Sequence, residues 1–200
     1  LPGAAPEPTN QPSMLYWQRE PPSPALVADT LTALMRVDAA LADKALALFL
    51  SEHTRYPIDE ILLPAALRLT EAEPSFAAGT ATAAVREAVL THLERRIAEP
   101  LAPPADWQRP AEVQCRCAHC QDLRAFLGSP TEAVWHLKAA QDARTHVEHS
   151  IRRSRCDLDC TTDKRGRPYT LVCRKNQASY EGRVRQREKD LADRKRLSGA

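Results

Sequence analysis

Cysteine is absent from the first 114 residues of this 200-residue chain, and glycine and aromatic residues are scarce along all of it. There are six glycines and 5% aromatic residues, against sixteen prolines and many alanines. Abundant alanine with little glycine favours helices over a sandwich of strands. The longest unbroken apolar run, residues 45–50, is far shorter than the roughly 18 residues of a membrane span. The sequence therefore argues against a membrane protein, a small disulfide-rich secreted protein and a disordered chain.

A secretory leader, which would be a basic segment followed by an apolar one, does not open the chain. The first residue is Leu1. We therefore expect a processed form or a piece of a larger protein. We expect it to be intracellular: cytoplasmic or, in a eukaryote, nuclear.

Charge is distributed unevenly. Residues 144–200 hold sixteen Lys and Arg against eight Asp and Glu, a net charge of +8. Residues 1–143 hold twelve against eighteen, a net charge of −6. An acidic part followed by a basic part indicates two modules, the second with an anionic partner.

Prolines and apolar periodicity divide the chain into five predicted segments. Seven of the sixteen prolines lie within the first 24 residues, and four more lie between residues 100 and 110. Proline clusters of this kind interrupt regular structure. We predict an extended lead-in at 1–23, a helical segment at 24–98, a proline-rich linker at 99–110, a zinc-binding domain at 111–180 and a charged C-terminal helix at 181–200.

The helical segment carries four apolar stripes at helical spacing, with no strand pattern between them. Ser23 followed by Pro24 predicts the start of the first helix, and Asp38 predicts the start of the second. On the second helix we assign the stripe to Leu41, Ala45, Leu48 and Phe49. We predict antiparallel helical hairpins of the HEAT-like or bundle type. They serve either as a protein-binding scaffold or as packing support for the C-terminal part of the chain.

All six cysteines lie within 59 residues, from 115 to 173. Cys115, Cys117 and Cys120 form a C-x-C-x-x-C turn, which brings three thiols to one place, as a tetrahedral zinc site requires. We predict a structural Cys3His zinc site with His146 as the fourth ligand. The alternative ligands are His149, Cys156 and Cys173. The apolar residues after position 110 are too few for a strong core, so metal binding would stabilise this part.

Other uses of the cysteines fit less well. Disulfides need an oxidising compartment, and no secretion signal is present. A C-x-x-C redox pair normally has a βαβ context, which is missing here. A catalytic zinc site keeps an open position beside a general base, and neither is evident from the sequence.

A β-hairpin is predicted within residues 159–175, with its turn at Gly166. Three basic side chains surround that glycine: Lys164, Arg165 and Arg167. We predict that they contact the phosphates of a nucleic acid, with Arg174 and Lys175 contributing at the far end of the strand. The alternative is a solvated turn whose charges serve solubility. The charged helix after the hairpin could lie along the nucleic acid or simply project into solvent.

The cysteine turn and the hairpin belong to a wider motif set that resembles a known family. The motifs resemble the C-terminal region of large 2-oxoglutarate/Fe(II) oxygenase-like (prolyl-hydroxylase-like) proteins of bacteria and fungi, over roughly residues 85–190. Cys156 and Cys160 belong less firmly to that pattern. The matching residues are Cys115-x-Cys117-x-x-Cys120, Leu123, Phe126-Leu127, Arg144-x-His146, Gly166-Arg167-Pro168-Tyr169-Thr170-Leu171-Val172-Cys173-x-Lys175 and Tyr180.

The resemblance implies a catalytic iron domain far upstream, followed by helical segments and a cysteine/histidine region that ends the chain. An iron site needs a His-x-Asp/Glu pair and a distant His. His92-Leu93-Glu94 and His146-Val147-Glu148 have that spacing, but residues i and i+2 of a helix point in different directions. The resemblance therefore places the iron domain outside these 200 residues. Zinc-deaminase, Walker, dinucleotide-binding and Ser/His/Asp patterns are also missing.

Taken together, the sequence predicts a mainly α fold: antiparallel helical hairpins followed by a small zinc-stabilised α+β domain with one β-hairpin. The predicted function is a non-catalytic accessory module that binds structural Zn²⁺ and nucleic acid and belongs to a larger protein. Its further partners could be another protein or a catalytic domain of the same parent chain. We expect no membrane partner. The alternatives are a protein–protein interaction scaffold that uses the helical segment, the C-terminal part of an oxygenase-like enzyme, and a catalytic zinc site.

Overall fold

A computed structural model describes residues 22–71 and 79–199 of the chain. The predicted lead-in at 1–23 lies almost wholly outside these residues. The chain divides into two compact units, residues 1–92 and 93–200. In the described part, helices predominate and a small sheet lies in the second unit, as predicted. The elements, in chain order, are α1 (Pro24–Val37), α2 (Ala39–Ser51), a π-helical turn (Ile58–Leu62), α3 (Leu63–Glu71), α4 (Thr80–Ala98), α5 (Ala118–Gly128), β1 (Val134–Lys138), α6 (Gln141–Arg153), β2 (Leu158–Asp163), β3 (Thr170–Lys175) and α7 (Ala178–Ser198).

The first two helices begin where their capping residues predict. The Ser23 hydroxyl accepts a hydrogen bond from the Leu26 N–H at 3.1 Å, and Pro24 occupies the first helical position. The Asp38 carboxylate accepts from the Ala40 N–H at 2.8 Å and so starts α2. Each side chain supplies an acceptor to an N–H group that the helix itself leaves unpaired.

The third helix has an irregular start that the sequence did not predict. A π-helical turn, Ile58–Leu62, leads directly into α3, and Pro64 is the second residue of α3. Proline has no N–H to donate, and its ring crowds the carbonyl four residues earlier. Pro64 therefore cannot donate the α-helical hydrogen bond to the preceding turn. The π-helical turn, which is wider than an α-helical one, lies directly before it.

The core of the first unit comes from one face of each of its helices. It includes Val27 and Leu31 of α1, Leu69 of α3, and Val85 and Val89 of α4, each 0–1% exposed. This confirms the apolar periodicity of α3 and α4, and that of α1 except at Leu26, which we included in the stripe and which is 57% exposed.

The predicted buried face of α2 is correct for Phe49 but wrong for Leu41 and Leu48. The helix buries Ala42, Leu46 and Phe49, whereas Leu41 and Leu48 are 43% and 53% exposed. Helix α2 is apolar on nearly every side, so two adjacent stripes fit the helical period equally well. Only the packing of its neighbours selects between the two stripes.

A three-stranded antiparallel sheet organises the second unit, in the order β1-β3-β2. The predicted hairpin is formed by β2 and β3, and Gly166 in its turn has a φ of +87°. Strand β1 was not predicted. It pairs with the other side of β3, with Leu137 opposite Leu171. Strand β3 is thus the central strand, and alternate residues Leu171 and Cys173 are fully buried.

Helices α5 and α6 supply the rest of this unit's core. Ten buried residues form one cluster: Val113, Cys120, Leu123, Phe126, Leu127, Leu137, Val147, Ile151, Leu171 and Cys173. None of the described helices combines the length and the apolar composition that a membrane span requires.

Hydrogen bonds from polar side chains attach two flanking segments to this core: the end of the linker and the start of α7. The buried Arg109 donates to the carbonyls of Asn176, Asp106 and Gln108 at 2.7–2.8 Å. The end of the predicted linker is therefore anchored to the second unit. At the start of α7, Asp157 accepts a hydrogen bond from the Ser179 N–H at 2.8 Å.

Candidate metal centre

The three cysteines of the C-x-C-x-x-C turn lie at the start of α5. Cys117 is the residue before the helix, and Cys120 lies in its first turn. Cys115 precedes them in non-helical chain. Because one helical turn separates Cys117 from Cys120, their side chains lie on the same side of the helix end. The chain before the helix then brings the third thiol to the same point.

Helix α6 brings His146 to these thiols. Its Nε2 lies 3.3 Å from the Sγ of Cys115, 3.4 Å from that of Cys117 and 3.5 Å from that of Cys120. The four candidate ligand atoms all lie within 4.8 Å of one another. A tetrahedral ion with zinc–sulfur and zinc–nitrogen bonds of normal length separates sulfur from nitrogen by about 3.6 Å. This group could therefore hold a metal ion.

The backbone of the cysteine turn is held in place by residues that the sequence analysis missed. Arg124 of α5 donates through Nη1 to the carbonyls of Val113 and Cys115, at 2.8 and 2.7 Å. Gln121 donates to the Arg116 carbonyl at 2.9 Å. Seven residues are about two helical turns, so Arg124 lies on the same side of α5 as Cys117, and its side chain points back towards the start of the helix. This spacing is the sequence signal from which the role of Arg124 could have been predicted.

The thiols occupy different electrostatic environments. A hydrogen bond from the Cys117 backbone and another from the His146 ring lower the pKa of Cys115 to about 7. Burial raises the pKa of Cys120 to about 11. The Cys120 thiol also contacts the Ser150 hydroxyl at 3.5 Å. A metal ion would bind both as thiolates and displace their protons.

The three alternative ligands lie outside this group. Cys173 is instead paired with Cys160: they are opposite each other on β3 and β2, with their Sγ atoms 3.4 Å apart. Burial raises the pKa of the half-buried Cys156, and the hydrogen bond between the Cys160 and Cys173 thiols lowers the pKa of Cys160. His149 is exposed one turn along α6 from His146. Among the described residues, the only group of three or more with suitable metal-ligand spacing is the Cys115, Cys117, Cys120 and His146 group.

A cavity of about 550 Å³ lies against one side of the metal centre. Cys115, His146 and His149 line it, together with Arg153 and Arg155 from the end of α6 and just beyond. Solvent can therefore reach one edge of the ligand group, while Cys120 on the core side is fully buried.

The predicted basic hairpin tip is exposed, but its three cations are not equivalent. Lys164, Arg165 and Arg167 are all exposed. Arg165 has an anionic partner within the turn, because its guanidinium contacts the Asp163 carboxylate at 3.0–3.2 Å. This contact holds the pKa of Asp163 below its ordinary value. The positive charge of Arg165 is therefore compensated within the turn.

The far end of the hairpin also differs from the prediction. Arg174 is exposed, but Lys175 is only 6% exposed. Its ammonium donates to the Ser129 carbonyl at 2.7 Å and lies 4.5 Å from the centre of the Phe126 ring. Burial lowers the pKa of Lys175. Lys175 therefore belongs to the packing of the unit and is not available to a phosphate.

Comparison with protein-family models, with curated proteins and with solved structures finds no match to this chain.

Proposed function

We propose that residues 93–200 form a non-catalytic module that is stabilised by one zinc ion and binds nucleic acid through the basic hairpin. The observation that supports the metal is the convergence of three thiols and one imidazole within 4.8 Å. Thiolate and imidazole are the ligands that zinc prefers over the harder divalent cations.

A structural role follows from the number of ligands. Four protein groups fill a tetrahedral shell, so no position remains for a reacting water molecule. The ligands also join two separate elements, because the cysteines lie at the start of α5 and the histidine lies on α6. An ion bound there would cross-link the two helices against the sheet.

The nucleic-acid part of the proposal rests on charge and exposure. The chain from 144 to 200 carries a net charge of +8. Lys164 and Arg167 are exposed at the hairpin turn without a hydrogen bond or ion pair to any described residue. Cations held on a turn of fixed backbone conformation can follow a phosphate backbone at little entropic cost.

Metal content is the first test. The purified chain should contain one zinc ion, measured by native mass spectrometry and by elemental analysis. Cys120→Ser should lose the ion, whereas Cys160→Ser should retain it, since Cys160 lies outside the ligand group. Retention of full zinc content by Cys120→Ser would contradict the assigned site.

Nucleic-acid binding is tested by titrating fluorescently labelled DNA and RNA at several salt concentrations. Phosphate contacts make log K fall linearly with log[salt]. Neutralising Lys164, Arg165 and Arg167 together should weaken binding about equally for all sequences. It should also lower the slope by up to about one unit per lost phosphate contact. Equal affinity of this variant and the parent at every salt concentration would remove the nucleic-acid role.

A second candidate, a protein–protein scaffold, is favoured by apolar side chains on the first unit. Leu26 and Val37 of α1 are 57% and 80% exposed, and Leu41 and Leu48 of α2 are 43% and 53% exposed. Each pair lies on one face of its helix, and exposed apolar faces are common at protein interfaces. The salt titration separates the two candidates, because only the nucleic-acid module shows the linear salt dependence.

The relation to the oxygenase-like family stays a prediction. If the relation holds, the nucleic-acid module would bring a catalytic domain of the parent chain to its target. This role is consistent with a closed metal site that performs no chemistry of its own.

A further inference from the structure

A second cavity, of about 300 Å³, lies where the hairpin turn meets the start of α6. On the side of α6 it is lined by Gln141 and Arg144, together with the chain at 139–140. On the side of the hairpin it is lined by Arg167, Pro168 and Tyr169. Within the part of the chain that the structure describes, no acidic residue lines it, and Asp142 of the first helical turn is not among the lining residues.

Arg144 is the unusual member of this cavity. It is only 5% exposed, and its guanidinium lies 5.4 Å from the centre of the Tyr169 ring. It donates through Nε to the Ala139 carbonyl at 3.2 Å and through Nη2 to the Gln141 side-chain oxygen. These partners are neutral, and in the described part of the chain Arg144 has no carboxylate partner. No buried side-chain nitrogen of the described residues lacks a hydrogen-bond partner, so Nη1, which has no acceptor, is reached by solvent. A buried charge is costly unless an opposite charge accompanies it.

Two further features favour an anion at the same place. Arg167 is a second arginine among the lining residues. Helix α6 also begins there, and the residue before it, Ala140, has no side chain that could accept from the first N–H groups. Helix N-termini with unpaired N–H groups attract anions. Two arginines and a helix N-terminus thus line a cavity to which the described residues contribute no carboxylate.

We propose that this cavity, the Arg144 pocket, binds a phosphate group. The proposal rests on the proposed function for its biological source, which would be one phosphate of the bound nucleic acid. A free phosphate ion is the other possible source. Arg144 and the helix N-terminus would hold the phosphate from the protein side, and Arg167 would close over it from the hairpin. Arg167 is therefore the tip cation that matters most, whereas Arg165 is already compensated by Asp163.

Binding of a short labelled DNA and of its RNA counterpart tests the nucleic-acid source. Arg167→Gln changes an exposed residue, so folding should be preserved. It should weaken binding about tenfold near 100 mM salt and lower the salt slope by about one unit. The matched control is Arg165→Gln, in the same turn, whose loss should be smaller than about threefold because Asp163 already neutralises that charge. Equal losses from the two variants would contradict the pocket.

Nuclear magnetic resonance with inorganic phosphate tests the pocket independently of nucleic acid. Titration at constant ionic strength, with chloride as the reference, should shift the amide signals of residues 141–144 and the side-chain signal of Arg144. These shifts should saturate in the parent and in Arg165→Gln and should be strongly reduced in Arg167→Gln.

The two measurements distinguish failure of the nucleic-acid function from failure of the pocket. If DNA and RNA do not bind but phosphate shifts these signals, the nucleic-acid function fails and the pocket stands with free phosphate as its source. If nucleic acid binds but neither it nor phosphate shifts the signals of residues 141–144, the pocket is overturned while the nucleic-acid function stands.

Discussion

The two units of this chain bury very different amounts of apolar side chain. Among the described residues, sixteen apolar side chains are buried in the first unit, all from aliphatic or aromatic residues. The second unit is described over a longer stretch of chain but buries twelve, of which two are the cysteines Cys120 and Cys173. All six cysteines of the chain lie in the second unit.

This difference shows two ways of stabilising a small unit. The first unit relies on amphipathic helices, whose buried faces supply the hydrophobic free energy. The second buries fewer apolar side chains and adds a candidate metal site that joins α5 to α6. A metal ion that binds only the folded state contributes its binding free energy to folding. Chelation should therefore destabilise the second unit and leave the first folded, whereas core truncation in the first unit should destabilise that unit.

Metal removal should have the largest effect, and it should affect the second unit without affecting the first. A strong chelator, or Cys117→Ser, should abolish the amide protection of residues after about 110, because the ion's binding free energy is lost. Residues 24–71 and 79–92 should stay protected, since none of the four candidate ligands lies there. Peptide-resolved hydrogen exchange measures both units in one sample. Native protection of the second unit in chelator would show that its core suffices without metal.

Core truncation in the first unit should be the next largest effect. Leu31→Ala removes a fully buried side chain and should lower the free energy of unfolding of this unit by about 2–5 kcal/mol. Leu26→Ala, on the same helix but 57% exposed, is the matched control and should stay within about 0.5 kcal/mol. Denaturant titration monitored by helix content gives both values. Equal effects from the two variants would mean that the assigned core face of α1 is wrong.

Arg124→Gln tests whether Arg124 positions the cysteine turn for metal binding, and its effect should be smaller than that of core truncation. The variant loses the two hydrogen bonds that fix the carbonyls of Val113 and Cys115. Metal affinity should fall about 10- to 100-fold, the usual cost of losing a group that positions a ligand. Competition with a zinc-binding dye measures the change. Lys138→Gln, an exposed cation on β1, is the control, and an equal loss of affinity from it would show that the effect is not specific to ligand positioning.

The remaining cysteines should show the smallest effect, a difference in reaction rate. The lowered pKa of Cys160 gives more thiolate at mildly alkaline pH, whereas the pKa values of Cys156 and Cys173 are raised. Iodoacetamide should therefore modify Cys160 first in the metal-loaded protein, with the rate rising at lower pH than for the other two. Mass spectrometry of timed digests identifies the order. Modification of Cys173 first would show that the β2–β3 pair opens.

The sequence by itself determined the features that depend on near neighbours in the chain. Ser23, Pro24 and Asp38 cap or begin helices through contacts within three residues, so their roles could be predicted. The spacing of Cys115, Cys117 and Cys120 likewise predicted that three thiols would meet. The choice of His146 needed one further condition, a helix in the right place, and the structure brings that residue to the thiols.

Only the tertiary structure decided the features that depend on distant parts of the chain. The buried face of α2 is set by its neighbours, because the helix offers two apolar stripes. Strand β1 is defined by its pairing with β3, nearly forty residues later. Lys175 is buried against Phe126 and Ser129, and Arg144 is buried beside Tyr169. Both arrangements arise from packing that no local pattern records. Spacing along the chain determines which groups can meet, and packing determines which charges are buried, paired or left to bind a ligand.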